Sequence, residues 1–100
     1  MRIEKVEDCF DGSTVYEYIL DGPWTRESIA RLDALGTLEY FPEFSKPFFR
    51  LVGSLGYQVK GIEGENHCRV ILPRIGKEKA YEILTGFLNT NTNDVHDQSE

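Results

Sequence analysis

His67 and Cys68 are neighbours in the chain, and an imidazole beside a thiol is the raw material of a metal site or a nucleophilic centre. They open a β-branched run, HCRVIL, and consecutive residues of a strand point to opposite faces of its sheet. The two side chains are therefore expected apart, with Cys68 as a small buried hydrophobe and His67 at the surface beside a hairpin. Structural zinc needs about four ligands with close pairs such as C-x-x-C. The other cysteine is Cys9 and the other histidine is His96, in the polar end of the chain, so neither a metal nor another cofactor is implied. No G-x-S-x-G elbow occurs, and among the 17 acids only Glu17 is set inside an apolar, strand-like run. Cys68, His67 and Glu17 are the residues that a small enzyme or metal-handling accessory protein would use, yet their pattern assigns no reaction and no catalytic residue.

Two further stretches invite a nucleic-acid reading. Gly61-Ile62-Glu63-Gly64 has the G-x-x-G spacing of a KH loop, but it lies between strand-like runs and carries Glu63, which repels phosphate. Lys46-Pro47-Phe48-Phe49-Arg50 combines aromatic and basic residues as RNA-recognition strands do. In a strand, however, Phe48 and Phe49 alternate between faces. The net charge of −6 also opposes general nucleic-acid binding, which depends on cations that neutralise phosphates. Single-stranded RNA binding stays as an alternative reading, and no phosphate-binding glycine loop or dinucleotide fingerprint is present.

Charge is unevenly distributed. Residues 1–45 hold four Lys and Arg against ten Asp and Glu, whereas residues 46–88 hold seven against four. The basic part of this acidic chain coincides with its most strand-like part, residues 46–74. There, FFRLV, YQVKGI and CRVIL are separated by the glycine-containing breaks GSLG and EGEN, which predicts an antiparallel three-strand meander.

The remaining segments pack on this meander, extend it, or trail from it. Residues 1–12 fit a helix or a short edge strand equally well. Asp11-Gly12 marks a turn, and STVYEYIL after it reads as a strand. Thr25 is a good N-cap for a helix with Ile29, Leu32 and Leu35 on one stripe, with Gly36 as its C′ residue and Trp24 stapling its start to the core. TLEYF reads as a short strand before Pro42. A second helix carries Ala80, Ile83, Leu84, Phe87 and Leu88 on one stripe, and residues 89–100 read as a disordered polar tail.

These elements predict one α+β domain over residues 1–88, in the order β-α-(β)-β-β-β-α. The expected architecture is a two-layer sandwich with four to five antiparallel strands and both helices on one face, which resembles ferredoxin-like sandwiches in general arrangement. No window is apolar enough for a membrane helix, and the charged N-terminus lacks the apolar core of a signal peptide, so the expectation is a cytoplasmic protein with reduced cysteines.

One face of such a sheet is left open. If Phe49, Leu51, Tyr57, Val59, Cys68, Val70 and Leu72 point to the helices, the open face carries Phe48, Arg50, Val52, Gln58, Lys60, Ile62, His67, Arg69 and Ile71. Alternating basic and apolar residues suit a binding surface. The expected function is a small binding or interaction module that uses Phe48, Arg50, Lys60, Ile62, His67, Arg69 and Ile71, either for homodimerisation or for an acidic protein partner or anionic ligand.

Overall fold

The structure, a computed structural model, describes residues 1–98, with side chains over residues 1–89. Six strands and two helices follow one another as β1 (Arg2–Asp8), β2 (Thr14–Ile19), α1 (Arg26–Arg31), β3 (Gly36–Phe41), β4 (Phe48–Gly53), β5 (Gln58–Ile62), β6 (His67–Leu72) and α2 (Lys77–Gln98). The strands form one sheet in the order β1-β2-β6-β5-β4-β3, and every neighbouring pair is antiparallel.

The chain thus belongs to the α+β class, with more strands than the four to five expected. A ferredoxin-like order is not what the sheet displays: β3 to β6 form an uninterrupted meander, and β2 returns to its β6 side. The strand beyond the expected set is the edge β1, where the sequence fits a helix or a strand equally, while the other edge, β3, is the short strand expected over TLEYF. β1 is exposed at nearly every position, with only Ile3 half-buried, so its sequence lacks the alternation that announces a strand. Charges along it and a bulge between Lys5 and Glu7 blunt an edge that would otherwise invite another chain.

Both helices cover the same face. Ile29 and Leu32 from the α1 side, and Ala80, Leu84 and Leu88 from α2, join one buried cluster with Tyr18, Phe49, Leu51, Val59, Cys68, Val70 and Leu72. Ile83, expected on the α2 stripe, is instead exposed. Thr25 caps α1 through a reciprocal pair with Ser28, in which the Ser28 N–H donates to Thr25 Oγ1 and the Thr25 N–H to Ser28 Oγ. The helix tightens into a 3-10 turn over Leu32–Leu35 and runs directly into β3.

Gly36 is therefore not the left-handed cap that the sequence suggests; its φ of 163° is extended backbone. Glycine is required there for another reason. A Cβ would stand 2.2 Å from the Val52 carbonyl oxygen on β4. Over residues 89–98, where a polar tail is expected, the backbone continues α2, while residues 99–100 and the side chains beyond residue 89 lie outside the described residues.

Trp24 fastens the loop between β2 and α1 to the β5–β6 turn. Its backbone N–H donates to the Glu65 carbonyl at 2.9 Å, its carbonyl accepts from the Gly64 N–H at 2.9 Å, and its indole N–H donates to the His67 carbonyl at 3.2 Å. The indole also packs edge-on against Phe49, with ring centroids 4.7 Å apart.

Two phenylalanines test this assignment of faces. Phe49 is fully buried on the helix side, whereas Phe44 is 55% exposed beyond the opposite side. Phe49→Ala is expected to cost about 3–5 kcal/mol in urea unfolding followed by circular dichroism. Phe44→Ala should stay within about 0.5 kcal/mol of the parent. Equal losses at the two positions would contradict the arrangement.

Candidate functional site

The uncovered face is best described by its rows across the sheet. One row runs Glu4, Glu17, Arg69, Lys60, Arg50 and Glu39, each directly opposite the next on strands β1, β2, β6, β5, β4 and β3. Three cations occupy the middle of the row and carboxylates stand at both ends. Two residues away along the strands, one step of about 7 Å, Phe48 lies between Ile62 and Phe41. On the other side of the charged row, Ile71 is opposite Val15 and Gln58.

The middle of this face is concave. The depression has a volume of about 530 Å³ and is lined by Phe48, Arg50, Lys60, Ile62, His67 and Arg69, joined by Glu17 and Glu65. Six of the seven residues singled out from the sequence therefore surround one hollow. The seventh, Ile71, lies one step away, half-buried and outside it. Phe49, Gly61 and Cys68, whose neighbours on the same strands face the hollow, also border it. Gly61 shares the helix side with its cross-strand neighbours Phe49 and Cys68, where a Cβ would meet the Phe49 ring at 2.8 Å.

Electrostatically the hollow has two halves. At the β6 end His67 sits between two carboxylates, with Nδ1 2.7 Å from Glu17 Oε2 and Nε2 3.2 Å from Glu65 Oε1. Carboxylates only accept, so an imidazolium satisfies both contacts and a neutral ring only one. Glu17 also reaches Arg69 at 3.6 Å. At the β4 end the Arg50 guanidinium is held by Glu39 at 2.9 Å. Lys60, between the two arginines, has no carboxylate within ion-pair distance among the described residues. Exposed ion pairs contribute little to stability, so this network positions groups more than it holds the fold.

The apolar wall continues past the rim. Phe41 stacks on Phe48 at 4.8 Å between centroids, and Phe44 meets Phe48 edge-on at 5.3 Å. The three rings form a ledge at the mouth of the hollow.

Glu65 carries no sequence signal. It belongs to a turn, Glu63-Gly64-Glu65-Asn66, whose composition announces only the turn, and the Trp24 hydrogen bonds aim that turn at the site. Glu63 faces elsewhere and accepts a hydrogen bond from the Tyr40 hydroxyl. Glu17 and His67, considered for chemistry on separate grounds, are brought into contact, while Cys68 points to the opposite face and is 1% exposed. Among the described residues no group of three or more His, Cys, Asp or Glu is arranged to hold a metal ion, and no helix is long and apolar enough to cross a membrane.

Burial pushes the Cys68 thiol up from an ordinary 9.0 to about 12, with the Glu17 charge adding to the effect. Burial likewise raises Tyr18 from 10.0 to about 12, against a hydrogen bond with Thr85 that favours the phenolate. Both groups prefer their neutral forms in the folded chain. Their contribution to stability is complete below about pH 9 and is lost as the pH rises towards 12. Thermal unfolding is expected to show a plateau to pH 9 and a falling midpoint above it. With a thiol-reactive chromogenic disulfide at neutral pH, half-buried Cys9 should react promptly and Cys68 only on unfolding. Rapid reaction of both thiols in the native protein would contradict the buried placement.

Compared with protein-family models, curated proteins and solved structures, the chain matches none, so the geometry of the open face alone carries the functional argument.

Proposed function

We propose that this protein is a non-enzymatic binding module whose open sheet face takes an anionic ligand or an acidic partner. The observation that carries the reading is Lys60, a cation with no carboxylate at ion-pair distance among the described residues, flanked by Arg50 and Arg69 in a hollow of about 530 Å³. That volume lies in the range of pockets that enclose small molecules, about 300–1,000 Å³. Three like charges set side by side cost energy in an empty protein, and an arriving anion would relieve the cost. Residues 1–88 would form the domain that presents the face.

Self-association is the weaker reading. A two-fold contact centred on the hollow would set Arg50, Lys60 and Arg69 against their own copies, and an interface of that kind repels at its middle. A thiol mechanism is weaker still, since Cys68 lies across the sheet from His67 with a thiol that stays protonated at neutral pH.

Nuclear magnetic resonance titration with acetate, benzoate, inorganic phosphate and hexaglutamate provides the test. At least one of these should shift amides of β4, β5 and β6, and the response should fall with added salt. Lys60→Glu, at an exposed position, should leave the fold intact and weaken that binding about tenfold or more, the scale of a lost charge-assisted hydrogen bond. Binding that is undiminished in Lys60→Glu, or absent for all four probes, would overturn the proposal.

A further inference from the structure

The hollow also restricts what its ligand can be. Three cations and two carboxylates line it, which leaves a single positive charge when His67 is neutral. Glu39 occupies one edge of the Arg50 fork, through Nε at 3.1 Å and an Nη nitrogen at 2.9 Å, and Glu17 stands 3.6 Å from Arg69, close enough to offset part of its charge without a hydrogen bond. Lys60 has no carboxylate within ion-pair distance among the described residues, and an ammonium is a compact point charge that suits one negative group. No helix start is aimed into the hollow, for its lining residues all come from β2, β4, β5 and β6 and the turn before β6.

The rest of the lining is apolar. Phe48 and Ile62 stand directly opposite each other on β4 and β5, two residues beyond Arg50 and Lys60 and so about 7 Å along the strands. Beyond Phe48 the ledge of Phe41 and Phe44 extends the apolar path out of the hollow, and Phe44 is left 55% exposed. A charged head at Lys60 and an apolar body lying over Phe48 would satisfy both halves at once.

Resting on the anion-binding reading above, we infer that the ligand is a hydrophobic monocarboxylate, with its carboxylate on Lys60 and its alkyl or aryl body over Ile62 and Phe48 towards Phe44. No bond is made or broken; the chain recognises and holds the molecule.

Isothermal titration calorimetry on the full chain, with octanoate, acetate, octanamide, inorganic phosphate and hexaglutamate, tests the inference. Octanoate should bind about tenfold or more tighter than acetate, because each methylene removed from water adds to affinity. It should exceed octanamide by a similar factor. Lys60→Met keeps the aliphatic stem and removes the charge, so it should abolish the preference for octanoate over octanamide. Phe44→Ala, at an exposed position that the fold does not need, should weaken octanoate and leave acetate unchanged. Octanoate no tighter than acetate or phosphate, with binding still dependent on Lys60, would overturn the inference and leave the anion-binding reading standing. The same division follows if hexaglutamate binds and octanoate does not. Octanamide equal to octanoate, with Lys60→Met silent, would overturn both.

Discussion

Glu17 and His67 are separated by 50 residues, yet they touch because β2 and β6 pair in register from Thr14 opposite Leu72 to Ile19 opposite His67. Without that pairing the chain would hold a two-stranded hairpin beside a separate meander, and an isolated hairpin is marginal in water. Closing so long a loop costs entropy before any contact offsets it. The compensation lies at the end of the ladder. Leu20 and Trp24 continue the pairing into the β5–β6 turn through hydrogen bonds to Asn66, Glu65 and Gly64, and the indole buries itself against Phe49. Register matters more than strength here, since a slip of one residue would carry Glu17 to the helix side and Tyr18 to the solvent side.

From that register the two faces follow together. Cys68, Val70 and Leu72 are buried because α2 lies over them, and the same pleat turns His67, Arg69 and Ile71 outward. The pairs Phe48 and Phe49, and His67 and Cys68, are each divided between core and surface in this way. A mutation that shifts a strand would therefore damage core and site at once, whereas substitution of an outward residue alone touches only the site. That separation is what allows charge at Lys60 to be changed without disturbing Val59 beside it, which is fully buried.

Much of this was legible because the meander strands alternate strictly. FFRLVG, QVKGI and HCRVIL assign their own faces once one buried residue is known, and six of seven site residues chosen on that basis line one hollow. The edge β1 was less legible for a physical reason: it buries almost nothing, so no hydrophobic period marks it. The other edge, β3, follows a 3-10 turn without a break and takes in Gly36 as well as the expected TLEYF. Gly36 misleads because glycine has two uses. A helix cap and a close backbone crossing both demand it, and only the approach of Val52 decides between them. The helical stripe of α2 overcounts at Ile83 because a helix touching the sheet along a narrow seam leaves the stripe's flank in water. Glu65 was beyond reach, since a turn's composition gives its shape and not the direction of its side chains.

The order of charges across the sheet also limits the size of any partner. Strands lie about 4.8 Å apart, so the three cations Arg69, Lys60 and Arg50 cover roughly 10 Å. Beyond them stand Glu17 and Glu4 on one side and Glu39 on the other. A long polyanion laid across the strands would gain three attractive contacts and then meet carboxylates at both ends, within about a Debye length of 8 Å at physiological salt. A short anion centred on Lys60 gains the attraction and stands farther from Glu4, Glu17 and Glu39 than the ends of a polyanion would. Glu39 also holds the Arg50 guanidinium and Glu17 offsets part of the Arg69 charge, which leaves the Lys60 ammonium the least compensated of the three. The chain's surplus of acid elsewhere, with ten Asp and Glu in residues 1–45, adds a general repulsion that only a ligand small enough to enter the hollow can avoid.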